Sequence, residues 1–192
     1  QLGDYGKAMD HYRTLATFES DNPTILAGLA DCHMKKGGMN TLIALELYAR
    51  AMEINPENIR VASSLINLLL WQGDGKGALQ VCDTALYYNP DNRQIRQSQG
   101  MALYMTKKYL KADTVYSSLL AEGDSSFINL KYAGASRYMS GHALDAVEPL
   151  ELAYAIDSTD VETILLYGGT LGKTYDRQRA YELFDQAEEC MK

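Results

Sequence analysis

With 192 residues, the chain is long enough for one or two domains, and with 46% hydrophobic residues it can bury a continuous core. A formal charge of −7 removes the basic footprint that a general nucleic-acid binder needs; it fits ordinary solubility and is compatible with a basic partner. No apolar run approaches the ~18 residues of a membrane span, so direct membrane insertion is not expected.

In chain order, the first expected element is a helix carrying Ala8, Tyr12 and Leu15, within residues 1–22. Residues 23–58 then read as helix, turn, helix: a breaker, Lys36-Gly37-Gly38, precedes Ala44, Tyr48 and Ala51, and Asn55-Pro56 ends the second helix. In residues 59–92, Ala62, Leu65, Ile66 and Leu69 mark one helical face. Gly73-Asp74-Gly75 follows, then Ala78, Cys82 and Ala85, then Asn89-Pro90. Residues 93–126 contain Gly100, Leu103, Ala112, Tyr116 and Leu119. Residues 127–160 contain Gly134, Ser140-Gly141, Ala146, Leu150 and Ala153. Residues 161–192 contain Ile164, Tyr167, Gly168, Leu171, Ala180, Phe184 and Ala187.

The alanines at 44, 78, 112, 146 and 180 stand 34 residues apart, and Ala8 lies 36 before Ala44. Such a period marks a repeat architecture. Positions four and seven residues beyond each alanine return to one helical face, with the small residues where a neighbouring helix comes close. Gly100, Gly134 and Gly168 each lie twelve residues before a rung. Because a helical glycine costs ~1 kcal/mol against alanine, three at one offset imply close helix contact.

These residues resemble the tetratricopeptide repeat family, whose pattern ends in A-x3-F and then P. Gly3-Asp4-Tyr5 with Ala8 and Tyr12, then Ala44, Tyr48, Ala51, Asn55 and Pro56, then Gly100, Leu103, Ala112 and Tyr116 carry the likeness. It covers essentially the whole chain. The departures are Ala62, Arg96, Leu130 and Ile164 in the tryptophan slot, polar Arg96, Gln99 and Arg137 on the packing face, and two extra residues near Gly37–Asn40. The expected fold is an all-α right-handed superhelix of about five and a half helix pairs, a single array over residues 1–192. The chain is expected to begin with the second helix of a unit whose first helix lies outside it. Any targeting signal would lie outside as well, which leaves cytoplasm and periplasm both open.

Enzymatic chemistry is not expected. Gly168-Gly-Thr-Leu-Gly-Lys-Thr174 has the look of a phosphate loop, but Tyr167 stands where that motif needs glycine, and the repeat phase puts the segment on a helix. His11, His33 and His142 sit in different units and Cys32, Cys82 and Cys190 have no metal-ligand spacing, so no metal, cofactor or catalytic residue is assigned; Cys82 reads as a buried thiol. The remaining candidate is the concave face, which in this family is lined by the first-helix positions not used for packing. Those positions are Ser63, Asn67 and Leu70; Gln97, Met101 and Tyr104; Lys131, Ala135 and Tyr138. Arg60 and Gln94 lie one turn earlier, and Trp71, Met105 and Met139 follow. Tyr, Trp and Met are enriched in interface cores, so the expected function is a non-catalytic scaffold that holds a protein or peptide segment. Leu70, Met101, Tyr104 and Tyr138 are the expected anchors, and Arg60, Asn67, Gln94 and Lys131 the orienting groups. Two other readings remain: a self-associating module, and a docking arm of a larger enzyme or assembly. Family members that hold carboxylate-terminated tails use a basic and asparagine clamp. Here Asn67 is present, but Ser63, Ile128 and Tyr132 replace its cations, so that ligand is not expected.

Overall fold

The computed structural model describes residues 2–174 and 176–192, with side chains from Tyr5 onward. Gln1 and the Gly3-Asp4 part of the first half-repeat motif therefore fall outside the described side chains. Among the described residues there are eleven helices: α1 (Leu2–Phe18), α2 (Pro23–Lys36), α3 (Asn40–Ile54), α4 (Ile59–Trp71), α5 (Gly75–Tyr88), α6 (Arg93–Met105), α7 (Tyr109–Ala121), α8 (Phe127–Met139), α9 (Ala143–Ile156), α10 (Val161–Lys173) and α11 (Arg177–Cys190). The chain divides into two compact units, Gln1–Ser98 and Gln99–Lys192.

Several helix starts have a local cause in a side-chain cap. Asn22 accepts hydrogen bonds from the backbone N–H groups of Thr24 and Ile25, and Pro23 supplies a preset φ at the first helical position. Asn58, Asn92 and Asp160 accept in the same way from Val61, Ile95 and Thr163. The stops are equally specific. After α4, the Gly73 N–H reaches the Leu70 carbonyl and the Asp74 N–H the Leu69 carbonyl. That pair of bonds closes a helix through one left-handed residue, here Gly73 with φ 82°. After α8, Gly141 with φ 91° makes the same turn. After α6 the left-handed residue is Lys107, with φ 60°.

In the first unit Met9, Ile25, Leu29 and Cys32 form one buried cluster, flanked by Ala8, Tyr12, Ala16 and Leu47. In the second, Ala146, Leu150, Ile164, Tyr167, Leu171, Ala180, Leu183 and Ala187 form another. Ala44, Ala78, Ala112 and Ala146 are fully buried and Ala180 nearly so. A Cβ added at Gly100, Gly134 or Gly168 would meet Tyr116, Leu150 or Phe184, each four residues beyond the rung on the paired helix. Ile66 occupies the glycine's place one repeat earlier, and there the residue beyond the rung is the small Cys82, fully buried. Burial pushes the Cys82 thiol up to about 12, with the Asp83 carboxylate adding to the shift, so it stays protonated and inert.

Arg137, polar on an expected packing face, is paired there. Its Nε donates to Asp113 Oδ1 at 2.8 Å and its guanidinium donates to Ser117 Oγ at 2.9 Å and to the Asp145 carbonyl at 3.0 Å. One side chain on α8 thus joins α7 to the start of α9. The Gly168–Thr174 segment lies on α10, and Thr174 caps that helix. A helix without a preceding strand has no turn in which to cradle phosphate.

Candidate interaction faces

The first unit holds an open cavity of about 460 Å³ lined by Asp31, Met34, Lys35, Tyr48, Ser64, Asn67, Leu68 and Trp71. Its walls are α2 and α4, with Tyr48 reaching in from α3. Asp31 is the fixed polar point. Its carboxylate accepts a hydrogen bond from the Tyr48 hydroxyl and pairs with the Arg60 guanidinium at 2.9 Å. Burial, then the Asp31 carboxylate, holds the Tyr48 phenol far above its ordinary range, so it remains a donor. Trp71 is 75% exposed and Asn67 is exposed beside it. Leu70 is half-buried.

Of the expected residues, Asn67 and Trp71 line this cavity and Arg60 orients its carboxylate. Asp31, Met34, Lys35, Tyr48 and Ser64 escaped the sequence reading. The signal was present: stepping back 36 residues, the spacing of the longer repeat, from Asn67, Leu70 and Trp71 lands on Asp31, Met34 and Lys35. Gln94 is exposed and Gln97 half-buried.

In the second unit the expected aromatic residues are partly drawn into packing. The half-buried Tyr104 ring meets Tyr109 at 5.4 Å and Tyr132 at 5.2 Å, both edge-on, and Tyr132 stacks on the buried Tyr116 at 5.8 Å. Burial pushes the Tyr104 phenol up to about 12, with the Glu162 charge adding to it. Tyr138, also half-buried, lies under the Lys173 ammonium at 3.9 Å from the ring centre. Met101 is half-buried, while Met105 and Met139 are 38% and 45% exposed. Lys131 is buried, and its ammonium lies 2.8 Å from both Asp160 and Glu162. Those two carboxylates occupy the donors that the sequence reading had aimed at a ligand.

Among the described residues no group of three or more His, Cys, Asp or Glu side chains is placed to hold a metal, and no helix is long and apolar enough to cross a membrane.

Residues 44–102 match the tetratricopeptide repeat family. No curated protein matches the sequence. Among solved structures, residues 41 to the end of MamA from Desulfovibrio magneticus RS-1 superpose with a TM-score of 0.77 at 17% identity, covering 89% of this chain and 96% of that one. YrrB, described as a tetratricopeptide repeat protein with an unusual peptide-binding site, gives 0.75 at 15% identity over 95% and 93%. A tetratricopeptide repeat protein from Parabacteroides merdae ATCC 43184 gives 0.64 at 21% identity over 98% and 73%. At these identities the likeness speaks for the fold. The chain carries tetratricopeptide repeats at residues 44–102, and its fold is the all-α solenoid type of the tetratricopeptide repeat proteins.

Proposed function

We propose that this protein is a non-catalytic interaction scaffold that holds a peptide or protein segment against its first-helix faces. The observation that carries the reading is the Asp31–Trp71 cavity. An indole left 75% exposed beside Met34 and Asn67, over a carboxylate already fixed by Tyr48 and Arg60, is an apolar anchor with few and oriented polar groups. Such a preset arrangement lowers the ordering cost of binding. YrrB supports the reading as a protein of like fold described as having a peptide-binding site. On this reading Tyr104, Tyr138 and Met101 supply the equivalent contacts in the second unit, and Gln94 a polar one in the first.

The test selects a peptide from a random display library and measures its affinity by calorimetry. Trp71→Ala, at an exposed position, should leave thermal stability within about 0.5 kcal/mol and weaken the peptide by about tenfold or more. A Tyr104→Ala/Tyr138→Ala pair is expected to weaken it as well. Selected peptides whose affinity ignores all three positions would refute the assignment.

A further inference from the structure

A second face, outside the Asp31–Trp71 cavity, has a different chemistry. In a chain of net charge −7, no acidic residue lies between Gly100 and Asp113, while Lys107, Lys108 and Lys111 do. The three lysines surround an open cavity of about 480 Å³, completed by Tyr109, Leu110 and Ser140. All three are exposed, and none has an ion-pair partner among the described residues. Asp113, the next acid along the chain, is already bound to Arg137 at 2.8 Å. Leu110 is 64% exposed at the same place. Charge is therefore concentrated where nothing in this unit neutralises it, around an apolar contact.

The turn itself is unusual. Gly73 and Gly141, 34 residues to either side, take the left-handed conformation at the equivalent position, where glycine is free of strain. Lys107 takes it with a side chain, which L-residues resist. The first turn of α7, which begins here, has no side-chain cap for its backbone N–H groups.

We propose that this lysine cradle at the start of α7 docks an acidic peptide segment carrying one apolar side chain, the carboxylates meeting Lys107, Lys108 and Lys111 and the apolar group meeting Leu110 and Tyr109. Local complementarity suits a short segment, which senses the patch within a Debye length of about 8 Å at physiological salt. An anionic membrane is a poorer occupant, because an extended negative surface also repels the rest of an acidic chain.

The test is fluorescence anisotropy on the whole chain with three probes: a short labelled Glu/Asp peptide with one central Phe, its Gln/Asn counterpart, and phosphatidylserine vesicles. The acidic peptide should bind, and more weakly as salt rises. A Lys107→Gly/Lys108→Gln/Lys111→Gln variant should lose about tenfold or more in affinity, while Trp71→Ala leaves it unchanged. Lys107→Gly alone should raise the unfolding temperature yet lower affinity, which separates lost charge from lost fold. Equal binding by the triple variant, equal binding of the Gln/Asn peptide, or a loss on Trp71→Ala matching the triple variant's would overturn the proposal. So would lysine-dependent binding of the vesicles alone.

Discussion

Gly134 and Leu150 show how one residue's absence of volume is another's place. A Cβ built on Gly134 would lie 2.5 Å from Leu150 Cγ, well inside contact distance, and Leu150 is fully buried with nowhere to retreat. The same exchange recurs at Gly100 with Tyr116 and at Gly168 with Phe184, and it inverts at Ile66 with Cys82. A sequence reader sees these glycines as a penalty of ~1 kcal/mol against alanine in a helix. In place, the penalty offsets a larger clash. Gly134→Ala should therefore destabilise by about 1–3 kcal/mol, despite alanine's better helix propensity. Adding Leu150→Ala should recover less than the second substitution costs alone, because that change also opens a cavity. Chemical denaturation of the single and double variants measures both effects, and a Gly134→Ala variant as stable as the parent would contradict the contact.

Between elements, the second unit is joined by charge as well as by apolar packing. Lys131 on α8 reaches Asp160 and Glu162 at the start of α10, two helices on. Asp160 also accepts from the Thr163 N–H at 2.8 Å and from its hydroxyl at 2.6 Å, so one carboxylate caps α10 and ties it to α8. Burial works against the charged form of Asp160, but the hydrogen bonds from Lys131 and Thr163 outweigh it and hold its pKa below the ordinary value. For Lys131, burial is likewise outweighed by its two acceptors, and the pKa is raised. A depressed carboxylate stabilises the fold above its unfolded pKa, and that contribution is lost as pH falls through the folded value. A raised ammonium contributes below its unfolded pKa and fades as pH rises through the folded one. Lys131→Met, which keeps the apolar stem and removes the charge, should cost about 2 kcal/mol near neutrality. The difference from the parent should shrink as pH falls through the depressed Asp160 value, where that carboxylate protonates and its pairing with Lys131 is lost. Thermal unfolding across pH checks this; a difference independent of pH would exclude the ion pairs as its source. Lys131 also marks a limit of pattern reading. Its spacing from Tyr138 put it on the expected face, but no spacing announces partners 29 and 31 residues on.

For the molecule as a whole, the period was legible because stacking repeats one steric problem, a close helix contact, at every turn of the chain. The all-α repeat fold followed from it, and so did the exclusion of the Gly-Lys-Thr segment. The faces were harder to read, because whether an off-core side chain is free depends on its neighbours' shapes: Trp71 stands open, while Tyr104 and Tyr138 lean on Tyr132 and Lys173. The repeat logic also governs how damage spreads. In the second unit α8 contacts α7 and α9, α9 contacts α10, and α10 contacts α11, with only a minor direct contact from α8 to α10. Stability in such an array is a sum of unit terms and nearest-neighbour interfaces, and local opening need not involve the rest. Native-state hydrogen exchange on Gly134→Ala should therefore show protection lost most in α8 and α9, less in α7 and α10, and least in α11. An equal loss across all five helices would mean that the unit opens as a single block, and the nearest-neighbour description would fail for it.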